Sequence, residues 1–335
     1  MEEADISESI SKKGREMLLD GDQLRRFMIF HPFAVAKYQA MLGSKARFVH
    51  YCSAEAAYYI IKSRRMRLRN AVVMNDFLEI EHGAECLANA WRSATGEKFK
   101  KLIDGMYPGL PDELAKLVDG WAPIFRSDTY ITCLSEHDDA EDNLGRLSMW
   151  RAYGGAAGVA VVLNPSVFLS VSDALPAFTS PVAYLTLEDF ERELAKVTES
   201  IETNADFVKQ DGREGMLNSL YYAFRLAVLC TKHPGFAEER EWRIVYTPSH
   251  GSSDRIVRSV ELIRGVPQIV HSIPFVDYPE EDLEGAELPK LIDRIIVGPT
   301  EFPDQVRLAM VELLKESEVP DAQAKVVCST IPLRQ

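Results

Sequence analysis

Apolar residues recur along this chain with two periods, and each change of period marks a new element. In residues 1–45, Met17, Leu18, Leu24, Phe27, Met28 and Phe30 form a helical stripe that stops at His31-Pro32, where proline removes a backbone donor. Residues 46–51 then form a short β-rich run. Ser53 stands at a helix N-cap position before Glu55 and Ala56, with the helix running through Ile61. Next, Arg65, Arg67 and Arg69 alternate with Met66 and Leu68, which predicts a strand with one buried and one cationic face. That cationic face reads equally as a charge-protected edge or as a phosphate-contacting surface. Asn75-Asp76-Phe77-Leu78-Glu79 is a polar turn, with Asp76 as its cap, into a helix over 80–94 that carries Trp91.

Residues 98–127 read as mainly helical, broken at Pro108-Gly109 and Pro111, and 130–135 as a buried strand. The acidic stretch from His137 to Asn143 reads as a solvated loop, since it lacks the glycine and terminal glutamate of an EF-hand. Residues 147–153 make two helical turns, with Trp150 and Tyr153 on one face as core or as a stacking platform. Gly154-Gly155 and Gly158 end them before a central strand over 159–163. A charged helix over 187–209 and a more apolar one over 216–231 lead to the stretch from Glu238 to Tyr246. There the alternation of Trp242, Ile244 and Tyr246 predicts a strand with Glu239, Glu241 and Arg243 together on its other face. Strands follow over 255–262, 294–299 and 325–331, with a helix over 302–315. Pro267, Pro274 and Pro279 mark an irregular connection. The expected class is α/β (α+β): a single mixed-sheet domain over 46–335 with helical insertions, preceded by an N-terminal helical extension over 1–45.

Composition narrows the partners. With 335 residues and 46% hydrophobic content the chain can bury a sizeable core, and a net charge of −13 makes a general polyanion-binding surface unfavourable. Five widely spaced cysteines with no CxxC, and seven histidines with no HExxH, indicate neither a disulfide framework nor a zinc site. No apolar run is long enough to span a membrane, and the opening Met1-Glu2-Glu3-Ala4-Asp5 is not a signal-peptide start, so a cytoplasmic location is expected. The glycines form neither a GxGxxG nor a P-loop.

Several short motifs resemble, in order, a large bacterial domain-of-unknown-function family. They are Asn75-Asp76-Phe77-Leu78-Glu79, Cys133-Leu134-Ser135-Glu136, Met149-Trp150-Arg151-Ala152-Tyr153 with Gly158, Glu239-Arg240-Glu241-Trp242-Arg243, Ile295 to Pro299 and Ser329 to Arg334. Phe77 stands where that family usually has proline, and Phe236 where an aromatic, often tryptophan, precedes the ExE unit. The resemblance implies no established activity, although such families are often linked with phage-defence loci. More weakly, the order of His50-Tyr51 on a first strand, Ser135 ending a middle strand and Glu239-x-Glu241 opening a late one resembles NAD-dependent ADP-ribosyltransferases. That likeness implies a split sheet, His50 on the adenine-side ribose or phosphate, and Glu241 as the catalytic residue. It also implies NAD as substrate, a middle element packed on the nicotinamide, and Tyr51, Ser135, Trp150 and Tyr153 as further NAD-binding candidates.

Cleaving the nicotinamide–ribose bond passes through an oxocarbenium-like state, which a carboxylate hydrogen-bonded to the ribose 2′-hydroxyl stabilises. Glu241 suits that task, and Glu239 suits activation of the nucleophile. Arg243, Arg67 or Arg69 would meet the diphosphate, Asn75 a base or amide, and no metal is expected. The acceptor would be a protein, a nucleic acid or water, and a toxin or phage-defence role would bring an antitoxin or defence-system partner. Two rivals stand beside this reading. One is a metal-dependent nuclease or phosphodiesterase using Asp76, Glu79, Glu239 and Glu241 as Mg²⁺ ligands; the other is a non-enzymatic binding or regulatory module.

Overall fold

A computed structural model describes residues 21–73, 77–170, 172–263 and 265–332, without the side chains of 77–79 and 126. Among the described residues, twelve strands occur in chain order: β1 (Arg47–Ser53), β2 (Arg65–Asn70), β3 (Tyr130–His137), β4 (Ala157–Leu163), β5 (Ala177–Pro181), β6 (Ala183–Tyr184), β7 (Thr231–Lys232), β8 (Glu241–Tyr246), β9 (Val257–Ile263), β10 (Val266–Pro274), β11 (Ile292–Thr300) and β12 (Val326–Cys328). The α/β expectation holds: among the described residues, helices alternate in the chain with the strands of a mixed ten-stranded sheet.

The chain divides into two compact units, each assembled from separate stretches. One collects the described parts of Met1–Gln39, Ala71–Asp128 and Ser180–Ala237; the other collects Ala40–Asn70, Thr129–Thr179 and Glu238–Gln335. The segments read from sequence as helical insertions and as the N-terminal extension thus supply most of the first unit. Its long helices are Phe77–Arg92, Ala94–Met106, Leu110–Asp128, Leu187–Thr203 and Ala205–Leu229. A capping box between Thr186 and Asp189 starts the fourth, and it ends at Asn204, five residues before the expected 209. The fifth is interrupted at Gly212, whose φ of 83° lies in the left-handed region that glycine tolerates. At Gly83 a Cβ would lie 2.3 Å from the carbonyl oxygen of Val228, so the first and fifth helices pack backbone to backbone there.

The second unit takes in β1–β4 and β8–β12 whole. Ser53 caps the helix Ala54–Ser63 by accepting from the Ala56 N–H, and Arg64, at φ 52°, ends it in the left-handed conformation. β10 corrects the sequence reading: residues 266–274 are not an irregular connection but a nine-residue strand pairing with β9 and β2. Its two prolines stand second and last in the strand, near its ends, where a missing ladder donor is tolerated. The last strand is only three residues long, not the seven expected.

The core of this unit gathers Val49, Tyr51, Met149, Trp150, Ala160, Val162 and Ile296. Trp150 is the centre of that packing. A Cβ on Gly298 would come within 2.7 Å of its ring, one on Gly145 within 2.6 Å, and one on Gly158 within 3.1 Å. Three glycines from separate segments therefore form the seat of one indole, whose Nε1 donates to the Leu144 carbonyl at 2.8 Å. Gly298→Ala should force the ring or strand to shift and lower unfolding free energy by roughly 1–3 kcal/mol, measured by urea denaturation.

Candidate functional site

The registers around β3 divide the sheet. Ser135 pairs with both Val49 of β1 and Glu241 of β8, so those two strands lie on opposite edges of β3. Tyr130 pairs with both Asn70 of β2 and Tyr246 of β8. One edge of β3 is therefore lined by β8 over six residues, while β1 and β2 share the other edge at its two ends. Between those ends, among the described residues, Thr132, Cys133 and Leu134 have ladder partners on β8 alone. The sheet forks here, with β4, β11 and β12 beyond β1, and β10 and β9 beyond β2. His50 stands in the fork, its Nδ1 2.9 Å from the Cys133 carbonyl oxygen, so a side chain takes the acceptor that the diverging ladder abandons. His50 and Cys133 are partly exposed although both belong to interior strands. Burial holds the His50 ring below the ordinary histidine pKa.

The head of β8 is built differently from the expected alternation. Arg240 has φ 44°, a left-handed turn, and Glu239 ends a 3-10 segment (Pro234–Glu239) instead of continuing the strand. Glu239 and Glu241 are therefore not neighbours on one strand face. Glu241 and Arg243 are 4% and 2% exposed and joined at 2.8 Å, so this pair lies inside the sheet and not on a solvated edge. Glu239 is half-buried, and its Oε1 accepts from the Tyr153 hydroxyl at 3.1 Å.

Arg146 fixes the turn that carries Glu239. Its guanidinium donates to the carbonyls of Glu238 and Glu239 at 2.8 and 3.2 Å, to the carbonyl of Glu136 at 2.9 Å, and to the Glu141 carboxylate at 2.9 and 3.2 Å. Its backbone N–H donates to the Tyr51 hydroxyl at 2.9 Å, and burial pushes that phenol up to about 12. The acidic stretch expected to be solvated is instead an ion-pair hub. Arg240 reaches Asp138 and Glu141, and Arg47 reaches Asp139, Asp142 and Asp293. His137 Nε2 lies 3.0 Å from Asp142. Burial lowers the His137 pKa. For Asp142, burial alone would raise the carboxyl, but hydrogen bonds from His137 and Arg47, with the charges of Arg47 and Arg294, outweigh it and lower its pKa.

Of the residues singled out from sequence, the structure brings Tyr51, Trp150, Tyr153 and Glu239 together around one helix, and Ser135, Glu241 and Arg243 into one ladder. Trp150 is buried core, with its ring meeting Tyr51 edge-on at 4.9 Å. By register, Val49, Ser135 and Glu241 share a sheet face; alternation sends Phe48 and His50 to the opposite one, where Phe48 meets Trp242. His50 and Glu241 therefore do not line one face. Arg69 lies across the fork on β2, donating to Gln268 at 3.1 Å. Asn75 and Asp76 lie outside the described residues, as does the side chain of Glu79. Among the described residues, no group of three His, Cys, Asp or Glu is placed to hold a metal ion. Arg146, Arg47 and Cys133 were not singled out from sequence. The only hint was that acidic loop, whose charge needed arginine partners from distant segments.

Residues 149–244 match the model of a family described as Protein of unknown function (DUF2971). The match runs from Met149, beside the core tryptophan, into β8, and so contains both Glu239 and Glu241. No curated protein and no solved structure matches the chain.

Two outcomes follow from this geometry. Glu241→Ala should cost about 3–5 kcal/mol of stability in urea unfolding, because it breaks a buried ion pair by removing one partner. Acidification should also destabilise the protein. His137 resists protonation when folded, so stability falls as pH drops below the unfolded value of about 6.5, by up to roughly 1.4 kcal/mol per pH unit. Asp142 contributes stability above its unfolded value and loses it only at more acidic pH, as its lowered folded pKa is crossed. Unfolding free energies at a series of pH values should show a smaller loss between neutral and mildly acidic pH in His137→Gln than in wild type.

Proposed function

We propose that the protein acts on NAD, cleaving the bond between nicotinamide and ribose and passing ADP-ribose to an acceptor or to water. Glu239, rather than Glu241, is the working carboxylate in this reading. In the reaction the ribose C1′–nitrogen bond breaks, nicotinamide leaves with the electron pair, and the acceptor's nucleophile bonds to C1′ while Glu239 takes its proton. The observation that carries the assignment is the half-buried Glu239 carboxylate, held by the Tyr153 hydroxyl at 3.1 Å on a turn pinned by Arg146. A carboxylate so placed is partly exposed, whereas Glu241 is buried in the sheet at 4% exposure. The forked sheet supports the same reading, since divergence of β1 and β2 leaves partly exposed polar groups in the middle of a sheet. An intracellular toxin or defence-effector role, with an antitoxin or defence-system partner, extends the family resemblance and is part of this proposal.

The test is nicotinamide release from NAD by purified protein in the presence of chelator. Wild type should release it. Glu239→Gln should lower the rate about 100-fold or more while keeping the wild-type unfolding midpoint, and Tyr153→Phe should lower it about 10-fold. Loss of activity in chelator would favour the metal-dependent nuclease or phosphodiesterase. Absence of both release and calorimetric NAD binding would leave the binding module.

A further inference from the structure

One surface departs from the acidic character of the chain. Between Tyr58 and Arg69 there are five basic residues, Lys62, Arg64, Arg65, Arg67 and Arg69, and no acidic one. Tyr58 and Tyr59 end up outside on the helix Ala54–Ser63, 41% and 44% exposed, while Ala57, Ile60 and Ile61 are buried. Their rings meet edge-on at 5.2 Å, and the Arg67 guanidinium lies over the Tyr59 ring at 5.2 Å. The helix and β2 thus present aromatic and cationic groups to the same side. Lys62 is more than half exposed and pairs with the similarly exposed Glu316; Arg67 pairs with Glu261. Among the described residues, no carboxylate lies within ion-pair distance of Arg64 or Arg65. The left-handed turn at Arg64 sends the chain from helix to strand within one residue and keeps these cations adjacent.

We infer that this patch binds single-stranded nucleic acid. Two exposed tyrosines offer faces and edges for unstacked bases, a contact that tolerates any sequence because every base has a π-face. Arg64, Arg65 and Lys62 meet the phosphates, and a net charge of −13 confines the attraction to this region. A duplex keeps its bases stacked internally and gains little from the tyrosines, so the surface discriminates for single strands. This binding is independent of the chemistry at Glu239 and requires no NAD.

The experiment is fluorescence anisotropy of the full chain, without NAD, against a labelled oligouridylate of about 12 nucleotides and a duplex of equal length, at about 50 and 200 mM salt. Saturable single-strand binding is expected. It should weaken at the higher salt, be at least about 10-fold tighter than duplex binding, and fall about 10-fold or more in Tyr58→Ala/Tyr59→Ala and in Arg64→Glu/Arg65→Glu. The tyrosine pair should lose affinity with little change in salt slope, and the arginine pair should flatten the slope; both should keep the wild-type unfolding midpoint. No saturable single-strand binding at the lower salt would overturn the inference, as would equal affinity for duplex or binding that both pairs of substitutions leave unchanged. Nicotinamide release is unaffected by either result, so failure here is separable from failure of the NAD reading.

Discussion

A strand has two edges, and the second unit is arranged around how β3 uses them. β8 takes one edge over six residues, leaving β1 and β2 to divide the other. Both cannot pair along its whole length, so the sheet must fork, and the backbone groups left between the branches need other partners. The His50 ring supplies one by capping the Cys133 carbonyl. From this constraint follow the partial exposure at the centre of the sheet and the two-branch order of the remaining strands. β8 in turn pairs with β5 on its far side and so is an interior strand, in which Glu241 and Arg243 are buried as an ion pair.

The head of β8 depends on a second set of interactions, built from charge. Arg146 binds three backbone carbonyls and one carboxylate, and Arg240 and Arg47 complete the neutralisation of the 138–142 loop. Charge-assisted bonds of this kind are stronger than neutral ones and give the turn at Glu238–Arg240 one geometry. The left-handed Arg240 costs about 1 kcal/mol or more, which the bonds to its guanidinium and its ladder bond to the Glu136 N–H offset. Its consequence is the separation of two carboxylates that stand only two apart in sequence: one enters the sheet and the other stays at the rim against Tyr153.

How far the sequence revealed this depends on which force decides each element. Period-two alternation located β2 and β8, short β-rich runs located β1 and β3, and the Ser53 cap and the Pro32 break were readable because they act within one turn of helix. β10 was missed because Pro267 and Pro274 read as breakers, and only tertiary pairing shows that they fall near strand ends. The 138–142 loop was misread as solvated because its arginine partners, Arg47 and Arg240, lie 92 and 99 or more residues away and no local rule connects them. The Glu239–Glu241 face was misread for a related reason. Alternation assumes extended backbone throughout, and a single left-handed residue between the two glutamates cancels it.

That single residue also decides what the two glutamates can do. Had the strand begun at Glu239, both carboxylates would have shared a buried face with one arginine between them, and the excess charge would have required protonation or a cation. Turning at Arg240 gives each carboxylate its own environment. Glu241 has a guanidinium at 2.8 Å in a water-poor interior, where the pair serves to fix β8. Glu239 accepts from the Tyr153 hydroxyl at 3.1 Å and keeps partial access to solvent at the rim of the strand. A carboxylate within reach of solvent can meet developing positive charge on a substrate, the role proposed above for Glu239. In the proposed reading, chemistry at this end of the sheet falls to the residue that leaves the strand, while the one that stays in it pairs with Arg243 inside the sheet.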